Sequence, residues 1–85
     1  MEILKNEKNL LITKEKNIYR FYSYNSLISE YHETTKKLVL TYLWNFSQTT
    51  LKQLKNYINN YTCFNYENKK QFEKEIEKNN NIMIL

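Results

Sequence analysis

Apolar and polar positions alternate over short runs in the first half of the chain and recur at helical spacing in the second. Leu10–Thr13 and Ile18–Tyr24 are short, β-branched or aromatic runs separated by Lys14, Glu15, Lys16 and Asn17. This pattern predicts a hairpin, with Asn17 turning the chain because Asn tolerates a left-handed backbone. Leu27–Tyr31 alternates again, with Leu27, Ser29 and Tyr31 opposed to Ile28 and Glu30, and it ends in the polar stretch His32–Thr35. Leu38–Leu43 resumes the alternation, placing Leu38, Leu40 and Tyr42 on one face and Val39, Thr41 and Leu43 on the other. The connections are too short for parallel crossovers, so the pattern predicts an antiparallel meander of three or four strands.

The period changes at Ser47, a residue suited to cap a helix by accepting a hydrogen bond from the backbone N–H of Thr49 or Thr50. Leu51, Leu54, Ile58 and Tyr61 follow on one helical face, with Lys52, Lys55, Asn56 and Asn59 on the other, which predicts a helix over about residues 48–60. A second helix is predicted over about residues 67–78, its narrow apolar stripe formed by Phe72 and Ile76, ending at Asn79–Asn81. Ile82–Leu85 is either an edge strand or a tail packed on the core. The order predicts an α+β fold in which two helices cover one face of a small sheet, as a single domain spanning residues 1–85.

Composition changes this picture chiefly by what it removes. The 85 residues include no Gly or Pro, nor any Ala or Asp, while Lys, Asn, Ile, Tyr and Phe supply more than half of the chain. That bias marks an A/T-rich coding sequence, so an Asn or Tyr acquires functional meaning only from its position. Without Gly, no phosphate-binding glycine loop can form. The single Cys63 excludes an intrachain disulfide, and no apolar run approaches a membrane span. A cytoplasmic protein with no membrane association is the resulting expectation.

Catalytic chemistry is difficult to assemble from these residues. His32 is the only His and sits in a predicted turn, so a solvated His32 and a buried structural Cys63 outweigh a Cys63–His32 dyad. One Cys and one His do not make a zinc site, and no metal or cofactor is expected. Glu73 and Glu77 share a helix face but follow Lys70 and Lys74, which predicts a salt-bridged surface rather than an acid–base pair. The expectation is a protein that binds and does not catalyse.

The net charge of +4 is concentrated in residues 36–66, where Lys36, Lys37, Lys52 and Lys55 face no acidic counterpart. With Tyr42, Trp44 and Tyr57 nearby in sequence, these lysines form a candidate partner-binding set. They also raise a nucleic-acid reading. Four neutralised phosphates imply a salt slope of about −3.6, hence a roughly 150-fold loss of affinity between 50 and 200 mM salt, which is weak binding.

Two segments carry a resemblance. Ser23-Tyr24-Asn25-Ser26-Leu27-Ile28 and Trp44-Asn45-Phe46-Ser47-Gln48-Thr49-Thr50-Leu51-Lys52-Gln53 resemble the S-Y-N-T-x-I and W-x-Y-S-x-T-T-x-K-H motifs of an uncharacterised family of small proteins encoded by phages, plasmids and other mobile elements of low-GC bacteria. The likeness spans roughly residues 19–60 and singles out Ser23, Tyr24, Asn25, Trp44, Ser47, Thr49, Thr50 and Lys52. It departs in Ser26 for Thr, Phe46 for Tyr and Gln53 for His. The resemblance implies a mobile-element protein that binds a host protein and inhibits it, with anti-CRISPR-like or anti-restriction action as the concrete expectation. A net-basic chain is a poor mimic of DNA, which favours blocking an interface or holding an inactive state over charge mimicry. The alternatives are a weak nucleic-acid-binding accessory or regulator using the four lysines, and a homodimer joined through Ile82–Leu85.

Overall fold

The computed structural model describes residues 1–85. Five strands follow one another, β1 (Glu2–Glu7), β2 (Leu10–Glu15), β3 (Ile18–Ser23), β4 (Ser26–His32) and β5 (Lys37–Leu40). Helices α1 (Gln48–Tyr61) and α2 (Lys69–Lys78) come next, and then strand β6 (Ile82–Ile84). The α+β class and the two helices are as expected, but the sheet has six strands in the order β1-β2-β3-β4-β5-β6 rather than three or four. It is also mixed. β1 to β5 pair antiparallel, whereas β6 runs parallel to β5.

Each departure has a physical reason. β1 does not alternate, and only Leu4 is partly buried, because the strand is held by backbone pairing with β2 rather than by a core face. The helical segment between β5 and β6 supplies the long crossover that a parallel pair requires. Ile82–Leu85 is thus an edge strand, anchored by the Leu38 N–H to the Asn81 carbonyl (2.7 Å) and the Leu85 N–H to the Leu40 carbonyl (2.9 Å). β5 ends at Leu40 instead of Leu43, since Thr41 turns away, its hydroxyl donating to the Leu27 carbonyl (2.8 Å) and its N–H to that of Ile28 (2.9 Å). Tyr42 consequently leaves the core face and stands in solvent. In β4 a bulge opposite Phe21 and Tyr22 breaks the predicted alternation, so Ile28 and Ser29 are both buried.

The hairpins turn without glycine. Asn9, Lys16, Tyr24, Asn25 and Lys36 all adopt positive φ, between 51° and 66°. The β2–β3 turn places the left-handed residue at Lys16 rather than the expected Asn17. The β3–β4 loop is Tyr24-Asn25, both with positive φ, the signature of a type I′ turn that matches strand twist.

Both helices lie on one face of the sheet, over a core that includes Ile12, Phe21, Tyr31, Leu38, Leu40 and Ile82. α1 contributes Leu54, Tyr57 and Ile58, and α2 contributes Phe72. Asn68 caps α2 by accepting from the Gln71 N–H (2.9 Å), which starts that helix two residues later than expected. No helix is long and apolar enough to cross a membrane. The opposite sheet face carries no helix. There Arg20 Nε donates to Glu30 Oε2 at 2.8 Å, with His32 Nε2 3.3 Å from Glu30 Oε1. Partial burial alone would raise the Glu30 pKa, but the Arg20 hydrogen bond and charge, with a smaller contribution from His32, hold it below 4.5.

Two outcomes follow. Lys16→Gly and Lys36→Gly each relieve a left-handed residue that carries a Cβ, and urea denaturation should show each variant more stable by about 0.5–1 kcal/mol. The lowered Glu30 pKa contributes stability that is fully present above the ordinary carboxylate range and lost as pH falls through the folded value. Arg20→Met should therefore flatten the acid limb of a stability-versus-pH curve, as followed by circular dichroism.

Candidate functional site

Three of the residues singled out by the motif resemblance, Ser23, Ser47 and Thr50, meet where α1 docks on β3. Ser47 caps α1, its Oγ accepting from the Thr50 N–H (3.1 Å) and donating to Thr50 Oγ1 (3.0 Å). Thr50 Oγ1 lies 3.1 Å from Ser23 Oγ, and Ser23 donates its own proton to Gln53 Oε1 at 2.8 Å. With Ser23 donating to Gln53, Thr50 serves as the donor to Ser23, and the three hydroxyls form a one-way relay. Gln53 extends it, its Nε2 donating to the Asn9 carbonyl (3.4 Å). Gln53 stands where the resembled motif has His, and its amide offers one acceptor and one donor direction here, as a neutral imidazole does. Ser23 and Thr50 are buried, so the relay satisfies groups that would otherwise lose water without replacement.

The remaining motif residues divide between scaffold and surface. Tyr24 and Asn25 form the type I′ turn. Trp44 is buried with its ring edge-on to Phe72, centroids 5.7 Å apart, and Phe72 stacks on Tyr66 at 4.2 Å. Thr49 and Lys52 are exposed.

Several sequence-derived surface candidates belong to the core instead. Tyr57 is fully buried, stacked on Phe21 at 5.2 Å with its hydroxyl donating to the Tyr19 carbonyl (2.8 Å). Burial raises its pKa. Tyr57 and Trp44 thus present no surface to a partner. Helical periodicity places residue 57 beside Leu54 and Ile58, the signal that identifies it as core.

The four lysines do not form one patch. Lys36 lies in the β4–β5 turn and Lys37 begins β5, at the end of that strand remote from the start of α1, while Lys52 and Lys55 project from α1. Cys63 is exposed rather than buried, and His32 is the last residue of β4 rather than a turn residue. The predicted salt bridges among Lys70, Glu73, Lys74 and Glu77 do not form. Exposed pairs of this kind gain too little to offset the ordering of two long side chains.

Beyond Tyr42, sequence reasoning did not locate an outward-facing aromatic cluster that the fold creates. Tyr42 is 77% exposed, Phe46 69% and Tyr24 47%, and all three line one groove of about 360 Å3. Ile28 and Leu43 complete its apolar wall, while Ser23 and Thr50 of the relay border it. No charged side chain lines this groove. Tyr24 is held there in a left-handed conformation that a bulky side chain adopts only at a cost of about 1–3 kcal/mol.

Breaking the relay should loosen α1 without altering the groove's own rings. Ser23→Ala or Thr50→Val leaves buried partners unmatched and should cost about 1–3 kcal/mol each in denaturant unfolding. The double variant should lose less than the sum, because both substitutions remove the same hydrogen bond.

Searches of curated proteins and of solved structures each returned no match. Comparison with protein families gave one, described as a family of unknown function (DUF8033), over residues 1–78. That span takes in all five meander strands, both helices and the relay between Ser23 and Thr50. The chain belongs to the DUF8033 family.

Proposed function

We propose that this protein is a non-enzymatic binding module that docks a protein partner through the Tyr24–Tyr42–Phe46 groove and inhibits that partner. The observation that carries the reading is the convergence of three exposed aromatic rings on one uncharged groove, with Tyr24 kept there against backbone strain. Tyrosine is enriched at binding hot spots because its ring buries much surface for few frozen torsions. An uncharged groove fits an apolar anchor side chain from a protein and offers no cation to a phosphate backbone. The motif resemblance to mobile-element proteins makes a host effector, such as a CRISPR or restriction component, the partner class to test first. A chain with net charge +4 would act by occupying an interface or holding an inactive state.

Capture of partners from host lysate, with and without nuclease, tests this directly. The expected result is a single protein retained after nuclease treatment. Retention that depends on nucleic acid and disappears at moderate salt would overturn the reading. Tyr42→Ala and Phe46→Ala should each weaken the captured complex by at least about tenfold in a titration while leaving the unfolding midpoint nearly unchanged, since both rings are mostly in solvent.

A further inference from the structure

The two edges of the sheet are unlike. β1 carries Glu2, Lys5 and Glu7, and its register with β2 shifts between Ile3 and Lys5. Charges and irregularity of this kind guard an open edge against pairing. β6 has neither. Ile82, Met83 and Ile84 are followed by Leu85, and the last three of these are exposed. The Asn81 carbonyl and the Leu85 N–H bond to β5, so strand alternation turns the N–H and carbonyl of Ile84 to the open side.

Helix α2 packs beside β6, and its charges run against its own dipole. Lys69 and Lys70 occupy the first turn, where cations are disfavoured, while Glu73, Glu75 and Glu77 follow towards the other end. Lys70 lies one turn before Lys74, and Glu73 one turn before Glu77, so these i, i+4 neighbours are like charges. All four are exposed and none takes part in a salt bridge. An antiparallel copy of the same helix reverses the situation. It sets Lys70 against Glu77 and Lys74 against Glu73, and it opposes the two dipoles.

The stripe faces the open edge. α1 runs antiparallel to β3, from Ser23 to Tyr19, and hence towards the start of β5. α2 runs the same way, from beside Gln48 to the Asn79–Asn81 turn at Leu38. In α1, Lys55 is one residue past buried Leu54 and borders α2, whereas Gln53 on the other flank bonds the β1–β2 turn. The same rotation in α2 turns Glu73, one residue past buried Phe72, away from α1 and over the edge of β6. Lys70 and Glu77 adjoin Glu73 on that flank. The heights agree as well. The Ile82 N–H bonds the Asn79 carbonyl (3.0 Å), which sets the start of β6 level with the end of α2. From that level Ile84 is about 7 Å along the strand. The midpoint between Glu73 and Lys74 is about 7 Å back along the helix.

We infer that two copies of this chain join through β6 about a two-fold axis at Ile84, forming one continuous sheet with the α2 helices side by side and antiparallel. Each copy donates its Ile84 N–H to the Ile84 carbonyl of the other. Lys70 of each copy pairs with Glu77 of the other, and Lys74 with Glu73. The aromatic groove uses none of these residues, so the dimer stands whether or not that groove binds a protein.

The test is sedimentation velocity of the full chain from micromolar to millimolar concentration, with circular dichroism to check that each variant is folded. The expected result is a reversible rise to twice the mass of one chain, weakened by added salt. Lys70→Glu with Lys74→Glu makes the stripe wholly acidic, and Glu73→Lys with Glu77→Lys makes it wholly basic. Each double variant alone should dimerise at least about tenfold more weakly, because every cross-axis pair becomes repulsive. An equimolar mixture of the two should recover dimer, which an unfolded or merely destabilised variant does not do. Ile84→Lys should also weaken the dimer severalfold by guarding the edge. A single-chain mass at millimolar concentration overturns the inference. So does unchanged dimerisation in either double variant or in Ile84→Lys, or a mixture that stays monomeric.

Discussion

Helix α1 is fastened to the sheet at two points, and the rest of the molecule is arranged around that attachment. At its start, the Ser47–Thr50–Ser23 relay joins the helix cap to the end of β3. Two turns later, Tyr57 stacks on Phe21 and bonds the Tyr19 carbonyl of the same strand. One attachment is polar and directional, the other mainly apolar. Together they fix both the position and the rotation of α1, which a hydrophobic stripe alone leaves free to slide. The aromatic groove borders this fixed helix at Thr50, so the docking geometry of α1 shapes that surface.

The missing small residues have structural consequences beyond the turns. With no Ala to fill narrow spaces, ring stacking supplies the close packing, through Phe21, Tyr57, Tyr61 and Tyr19 on one side and Trp44, Phe72 and Tyr66 on the other. Rings carry hydroxyls into the interior, and these need partners. Tyr57 finds a main-chain carbonyl, and Tyr66 does not. The same chemistry that fills the core therefore generates its one orphaned donor.

Strand alternation and helical period made most of the elements legible before the fold was known. They failed where backbone rather than side chains decides. β1 has no buried stripe to reveal it, and the β4 bulge moves Ile28 and Ser29 inward together against the alternation. Asn17 is the better left-handed residue by propensity, yet the register of β2 with β3 places the strain on Lys16. Among the site residues, Ser47 was legible as a cap because its partner is three positions away. Its link to Ser23 joins residues far apart in sequence, and no local pattern encodes that. Tyr42 was legible as a surface candidate by residue type alone, while Tyr57 and Trp44 share that type and are core. Exposure depends on where the chain turns at Thr41, which is a tertiary property.

The pairing of β1 gives the sheet an uneven resistance to opening. Its hydrogen bonds to β2 are backed by little more than the half-buried Leu4. Detaching it removes one half-buried apolar side chain from the core margin, so the strand should open at a free energy below that of global unfolding. When it does, the Leu10–Glu15 edge becomes available to another extended chain. A sheet opened at β1 would lose Leu4 from the margin of the core and leave the edge of β2 unsealed.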